Sequence, residues 1–303
     1  MRTSTIIVQV IYYCVGILLI FIPAYCGAFD LTTRSDHGDI RITSQYRNLH
    51  PGEIIKISLK MPRFSSARAY FQGRKYAFAP EQGGSTFLLL GLDLDAKPGI
   101  QNLDINIDLS TGYTKKYSFK IPVAEWAFSI RRLSVDERYI VPPPEMRERI
   151  IKERALVDSV YRSYTPRWLG YGRFIVPSTG SMRENFGERR IFNNTFHSRH
   201  RGVDIRSRRG AWVKAANSGK VVLIHNLYYA GNTVIIDHGL GLFSIYCHLS
   251  KVLAKEGEFV RKGDIVGNVG STGRVTGPHL HWGVMLFDRC INPLSLLHLS
   301  FDE

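Results

Sequence analysis

The chain has 303 residues, a formal net charge of +14 and 44% hydrophobic residues. That length holds about two domains of roughly 150 residues each, and the composition excludes a disordered or collagen-like chain. The positive balance favours an anionic partner, such as a cell-wall polymer or a membrane surface.

Residues 1–28 form a leader. Ile6 to Ile22 are nearly all apolar, Arg2 carries the only side-chain charge, and Pro23 ends the run. Cys26-Gly27-Ala28 offers small residues for cleavage before Phe29. The run also suits an uncleaved membrane anchor, for which about 17–25 residues are needed. Either way the rest of the chain is expected in the periplasm or cell envelope, reaching the membrane only through the leader, with nucleic acid excluded as a partner. Cys14 and Cys26 fall in the leader. Cys247 and Cys290 remain, too few for a disulfide framework, and free buried thiols are the preferred reading.

The expected fold is mainly β. In residues 29–125, Ile40 and Ile42 alternate with polar neighbours, as do Ile55, Ile57 and Leu59. Leu103 to Leu109 and Tyr117 to Ile121 repeat the pattern around a turn at Ser110–Tyr113. Period two with such turns predicts a small antiparallel β-sandwich as an accessory domain. Residues 126–171 read as a linker. Pro142-Pro143-Pro144 precedes a helix at about 145–163, with Met146, Ile150, Val157 and Tyr161 on one face, expected to act as a strut. From residue 172 to 303, frequent glycines and short apolar runs predict a second all-β domain.

Three motifs in this second domain carry chemistry. In GPHLHWGV (277–284), extended backbone projects His279 and His281 to one side and Leu280 to the other. In HRGVDI (200–205), His200 and Asp204 stand four apart around Gly202, and a semi-buried Asp204 carboxylate needs a cation or strong donors. In SIYCHLS (244–250), alternation places His248 opposite Ile245, Cys247 and Leu249. Catalytic zinc takes three protein ligands and leaves a fourth position to water. His200, Asp204 and one of the His279/His281 pair make such a set, and the residues alone leave open which. The other of the pair, with His248, is then free to move protons or hold an oxyanion. HExxH and GxxxxGK[ST] are absent, and His238 reads as structural.

HRGVD, YCHLS and GPHLHWGV, in that order, resemble the M23 (lysostaphin-like, LytM-type) zinc metallopeptidases. GRFIVPSTGSMRENFGERRIFNNTFHSRHRGVDI is similar to the lead-in of the Gram-negative branch, and the resemblance covers roughly residues 172–296. It implies a LytM/lysostaphin-like peptidase domain with one Zn2+ per chain held by His200, Asp204 and His281, and His248 and His279 as the catalytic pair. It implies an exported endopeptidase that hydrolyses peptide cross-links of peptidoglycan through a metal-bound water. The alternative is a non-catalytic relative that activates cell-wall amidases. One departure is visible: FNNTFHS (192–198) lacks the tyrosine that some members place before the HxxxD histidine. The oxyanion role then falls to the two histidines alone or draws on His197.

Overall fold

The computed structural model describes residues 30–33, 39–61, 64–80, 85–134, 136–137, 140–194 and 196–301. The leader, with Cys14 and Cys26, lies outside them. Among the described residues no helix is long and apolar enough to cross a membrane. The chain divides into two compact units, Met1–Trp126 and Ala127–Glu303.

The first unit is an antiparallel β-sandwich. Its strands are β1 (Asp30–Thr33), β2 (Ile40–Tyr46), β3 (Ile54–Lys60), β4 (Phe64–Phe71), β5 (Arg74–Ala77), β6 (Ser85–Gly91), β7 (Gly99–Leu109) and β8 (Thr114–Val123). They form two four-stranded sheets, in the orders β1-β2-β3-β6 and β5-β4-β7-β8. The alternating positions fill the interior: Ile40, Ile42, Ile57, Leu59, Leu103, Ile105 and Ile107 are fully buried, as a period of two requires of strands with one solvated face.

The second unit opens with β9 (Ile130–Leu133) and α1 (Pro144–Arg162). There follow β10 (Ser181–Arg183), β11 (Arg189–Phe192), β12 (Phe196–Arg199), β13 (Gly202–Arg206), β14 (Trp212–Lys214), β15 (Gly219–Leu227), β16 (Gly231–Asp237) and β17 (Leu242–Val252). The chain ends with β18 (Phe259–Val260), β19 (Ile265–Val269), β20 (Leu280–Leu286), β21 (Arg289–Ile291) and α2 (Pro293–Leu296). The main sheet runs β10-β13-β20-β17-β16-β15-β18. β21 pairs with β20, and β19 pairs with β14 and β17. A smaller sheet, β12-β11-β9, has β9 parallel to β11.

The two faces of the main sheet do different work. Val203, Trp282 and Tyr246 are paired across β13, β20 and β17 and fully buried on one face. Asp204, His281 and Cys247 are the next paired row, on the other face.

Of the stretch 126–171, expected from sequence as a linker and strut, the part from Ala127 onward belongs to the second unit. Val157, Val160 and Tyr161 of α1 pack against Leu223, Ile235 and Phe243. Glu153 is buried on the same helix face. Its carboxylate accepts from Arg149 Nε at 2.6 Å and from the Tyr228 backbone N–H at 2.8 Å. Beyond the helix, the Leu240 N–H donates to the Thr165 carbonyl and the Leu169 N–H to the His238 carbonyl.

Candidate metal centre

The register of the main sheet builds the site. Asp204 on β13 lies directly across from His281 on β20, so both side chains leave the same face a few ångströms apart. His200 stands just before β13. Gly202, between His200 and Asp204, is there because of a close approach: a Cβ on it would fall 2.5 Å from the Trp282 carbonyl oxygen and 2.7 Å from the His281 ring.

Three potential ligand atoms converge. His200 Nε2 lies 3.0 Å from Asp204 Oδ1, His281 Nδ1 lies 3.1 Å from the same oxygen, and the two nitrogens are 2.9 Å apart. A triangle of that size places its centre about 1.7 Å from each corner, so one point just off its plane lies at the ~2.0–2.2 Å typical of zinc–nitrogen and zinc–oxygen bonds. The proton inventory points the same way. His200 Nδ1–H donates to the Asn185 carbonyl at 2.9 Å, which leaves Nε2 with a lone pair in neutral imidazole. That lone pair faces a carboxylate oxygen, and two acceptors at hydrogen-bond distance in a buried place need a cation between them.

The loop before β11 holds this triangle in shape. Asn185 Nδ2 and Arg190 Nη2 donate to Asp204 Oδ2 at 3.0 and 2.8 Å, which leaves Oδ1 to point at the histidines. Asn185 Oδ1 accepts from the Asp204 backbone N–H. The backbone of Gly187 and Glu188 pairs with that of His200, and Glu188 accepts from Arg190 Nε at 3.1 Å. Burial works to raise the Asp204 pKa. In their protonated form the two imidazoles at 3.0 and 3.1 Å would outweigh it and hold the carboxyl well below the usual carboxylate range.

His248 and His279 complete the cluster. Strict alternation along β17 carries His248 to the Tyr246 side, away from Cys247. Instead His248 has φ +63°, its N–H leaves the ladder for the Ala230 carbonyl, and its ring comes within 6.0 Å of the His281 ring and 4.9 Å of the His279 ring, centroid to centroid. Such backbone is rare for a residue with a side chain and collects at functional sites. His248 Nδ1–H donates to the Thr272 carbonyl and His279 Nδ1–H to the Gly277 carbonyl, each at 2.8 Å. Both rings therefore keep Nε2 as their lone-pair atom, and His279 Nε2 lies 3.7 Å from Asp204 Oδ1. Burial, with His281 and His279 close by, pushes His248 down to about 3. Burial also lowers His279 and His281, so these three rings are neutral at pH 7.

All five residues singled out in the sequence, His200, Asp204, His248, His279 and His281, thus meet in one place. Asn185, Arg190 and Thr272 were not singled out, because their work is done on other residues of the cluster. The one available signal was the position of Asn185 and Arg190 in the lead-in, and of Thr272 among the glycines just before GPHLHWGV. The His197 side chain lies outside the described residues. His238 is buried, with its ring nitrogens 2.7 Å from the Ser218 carbonyl and 2.7 Å from Ser244 Oγ. Cys247 and Cys290 are buried thiols, Cys290 Sγ lies 3.4 Å from Met285 Sδ, and burial pushes the Cys247 thiol up to about 12.

The model of peptidase family M23 matches residues 198–293. Over 139 residues, 46% of its length, the chain is 39% identical to "Peptidoglycan DD-endopeptidase ShyA" of Vibrio cholerae, covering 31% of that protein. Over 97 residues, 32% of its length, it is 39% identical to "DD-carboxypeptidase/endopeptidase Mpg" of Neisseria meningitidis, covering 22% of that protein. The chain thus spans about a third or less of the length of these curated relatives. A crystal structure from Pseudomonas aeruginosa, described as a peptidase M23, is similar at a TM-score of 0.63 and 29% identity, over 83% of this chain and 96% of that one.

Proposed function

We infer function from the family to which this chain belongs, peptidase family M23, and propose that it is an exported, zinc-dependent endopeptidase of peptidoglycan. The observation that carries the proposal is the triangle of His200 Nε2, Asp204 Oδ1 and His281 Nδ1, with edges of 2.9–3.1 Å, beside two further neutral imidazoles. The donor set of two nitrogens and one carboxylate oxygen suits zinc.

His200, Asp204 and His281 would hold the cation. When bound, it supplies Lewis acidity that polarises a carbonyl and makes water a competent nucleophile at neutral pH. The remaining work belongs to side chains. Nε2 of His248 or His279, unprotonated because each Nδ1–H is committed to a backbone carbonyl, accepts the proton of the attacking water. The ring protonated in this way then donates that N–H to the developing oxyanion and delivers the proton to the leaving amine. Asn185 and Arg190 keep the carboxylate from rotating while charge shifts across the site.

The substrate class rests on relatives named for peptidoglycan DD-endopeptidase activity, and favours cross-linked stem peptides cut at a D-alanyl bond. The apolar leader supports export to the periplasm or cell envelope. A complete ligand set weighs against the amidase-activating, non-catalytic alternative. Incubating the mature protein with purified sacculi, with and without a chelator, and weighing the released muropeptides tests the proposal. Chelator-sensitive release of uncross-linked peptides is expected. Release of nothing, or release untouched by chelator, overturns it.

A further inference from the structure

His248 is held from two sides by loops that also place an arginine. The loop after β15 gives the Ala230 carbonyl to the His248 N–H, and the loop after β19 gives the Thr272 carbonyl to His248 Nδ1–H. The loops are bolted together. The Arg274 N–H donates to the Tyr229 carbonyl at 2.8 Å, and the Asn232 N–H donates to Thr272 Oγ1 at 3.0 Å. At Gly273, φ is +77° and a Cβ would fall 2.5 Å from both Gly231 N and the Tyr229 oxygen, so the contact is backbone against backbone. From this clamp the Arg274 guanidinium carbon lies 4.6 Å from the Tyr229 ring centre and 4.9 Å from that of Phe192. Phe192 closes β11 two residues after Arg190, on the same side of that strand by its period of two, and Arg190 grips Asp204.

We propose that Arg274 is a specificity residue that binds a carboxylate of the substrate peptide next to the scissile bond. The inference rests on the peptidase reading above and adds to it a chemical preference, for an acidic stem peptide over an amidated one. Two aromatic rings orient the guanidinium plane and limit its rotamers. An oriented planar fork suits a carboxylate better than the point charge of a lysine does. The hydrogen bonds through Thr272 and Tyr229 tie the backbone of Arg274 to that of His248, and the Phe192 and Tyr229 rings hold the guanidinium, so a carboxylate seated on it would place the neighbouring peptide bond reproducibly.

Two synthetic cross-linked peptides test this, one with free carboxylates flanking the D-alanyl bond and one with those groups as primary amides. The readout is the ratio of kcat/KM, acid over amide. For the unmodified enzyme the ratio is expected to be about 10–100, the worth of a charged hydrogen bond. Arg274→Gln brings it close to one, and Arg274→Lys, which keeps charge but loses the fork, gives an intermediate value. An unmodified enzyme without preference overturns the proposal. So does an Arg274→Gln variant that is slower on both peptides by the same factor, the signature of a merely structural arginine. Failure to cut either peptide, or sacculi, overturns the peptidase reading and this inference with it.

Discussion

Asn185 touches three parts of the candidate metal centre at once. Its carbonyl fixes the His200 ring, its amide NH2 anchors Asp204 Oδ2, and its side-chain oxygen accepts from the Asp204 backbone. Asn185→Ala is therefore expected to weaken metal binding by about 10–100-fold, measured by competition with a chromophoric chelator. His248→Ala and His279→Ala have a different expected signature. Turnover falls by about a hundred- to ten-thousand-fold while bound metal, measured by elemental analysis, is retained; His281→Ala loses both. His238 supplies a test of stability. Burial lowers it from 6.5 to about 4, so the folded state keeps it neutral while an unfolded chain protonates it. Its contribution is complete above pH 6.5 and is lost as pH falls toward 4, by roughly 3 kcal/mol at most. Urea melts at pH 7 and pH 4.5 are expected to show this loss, and His238→Gln to show a shallower slope from a lower starting stability. The five clustered side chains were legible in the sequence because they sit in short motifs. Alternation misplaced His248, since a single residue at φ +63° reverses which way a side chain faces.

At the scale of elements, α1 shows what periodicity reads well and what it misses. The apolar spacing of Met146, Ile150, Val157 and Tyr161 fixed the helix to within a residue of its observed span, Pro144–Arg162. Nothing in the spacing reveals what the face meets, or that Glu153 shares it. Glu153 is buried because it satisfies Arg149 and the Tyr228 N–H together. Glu153→Ala is expected to cost about 1–3 kcal/mol in chemical denaturation, as the price of removing a buried charged acceptor, and Glu153→Gln less. β9 was not foreseen. Four residues with two arginines in the middle carry no β pattern of their own, and they are extended because β11 offers them a parallel edge.

For the whole molecule, the mainly β architecture and the two-unit division were legible from the change in texture along the chain. What the stretch after the first unit packs against was not, because packing decides it and composition does not. The second unit begins at Ala127, and it includes the strand and helix that precede the motifs. A fragment of residues 127–303 is expected to fold and to bind metal as the full chain does. A fragment of residues 163–303 lacks β9 and α1 and exposes Leu223, Ile235 and Phe243. It is expected to melt early or aggregate, checked by circular dichroism and light scattering.

The parallel pairing of β9 with β11 bears on mechanics. Beyond Trp126, the first regular structure the chain enters is hydrogen-bonded to the strand that carries Arg190, through the Ser129 and Leu133 carbonyls. Tension applied from the N-terminal side, as on a tethered molecule pulled along a stretched wall, reaches those bonds before it reaches the ten-stranded sheet. The carboxylate brace thus lies closer to the line of force than the rings it serves.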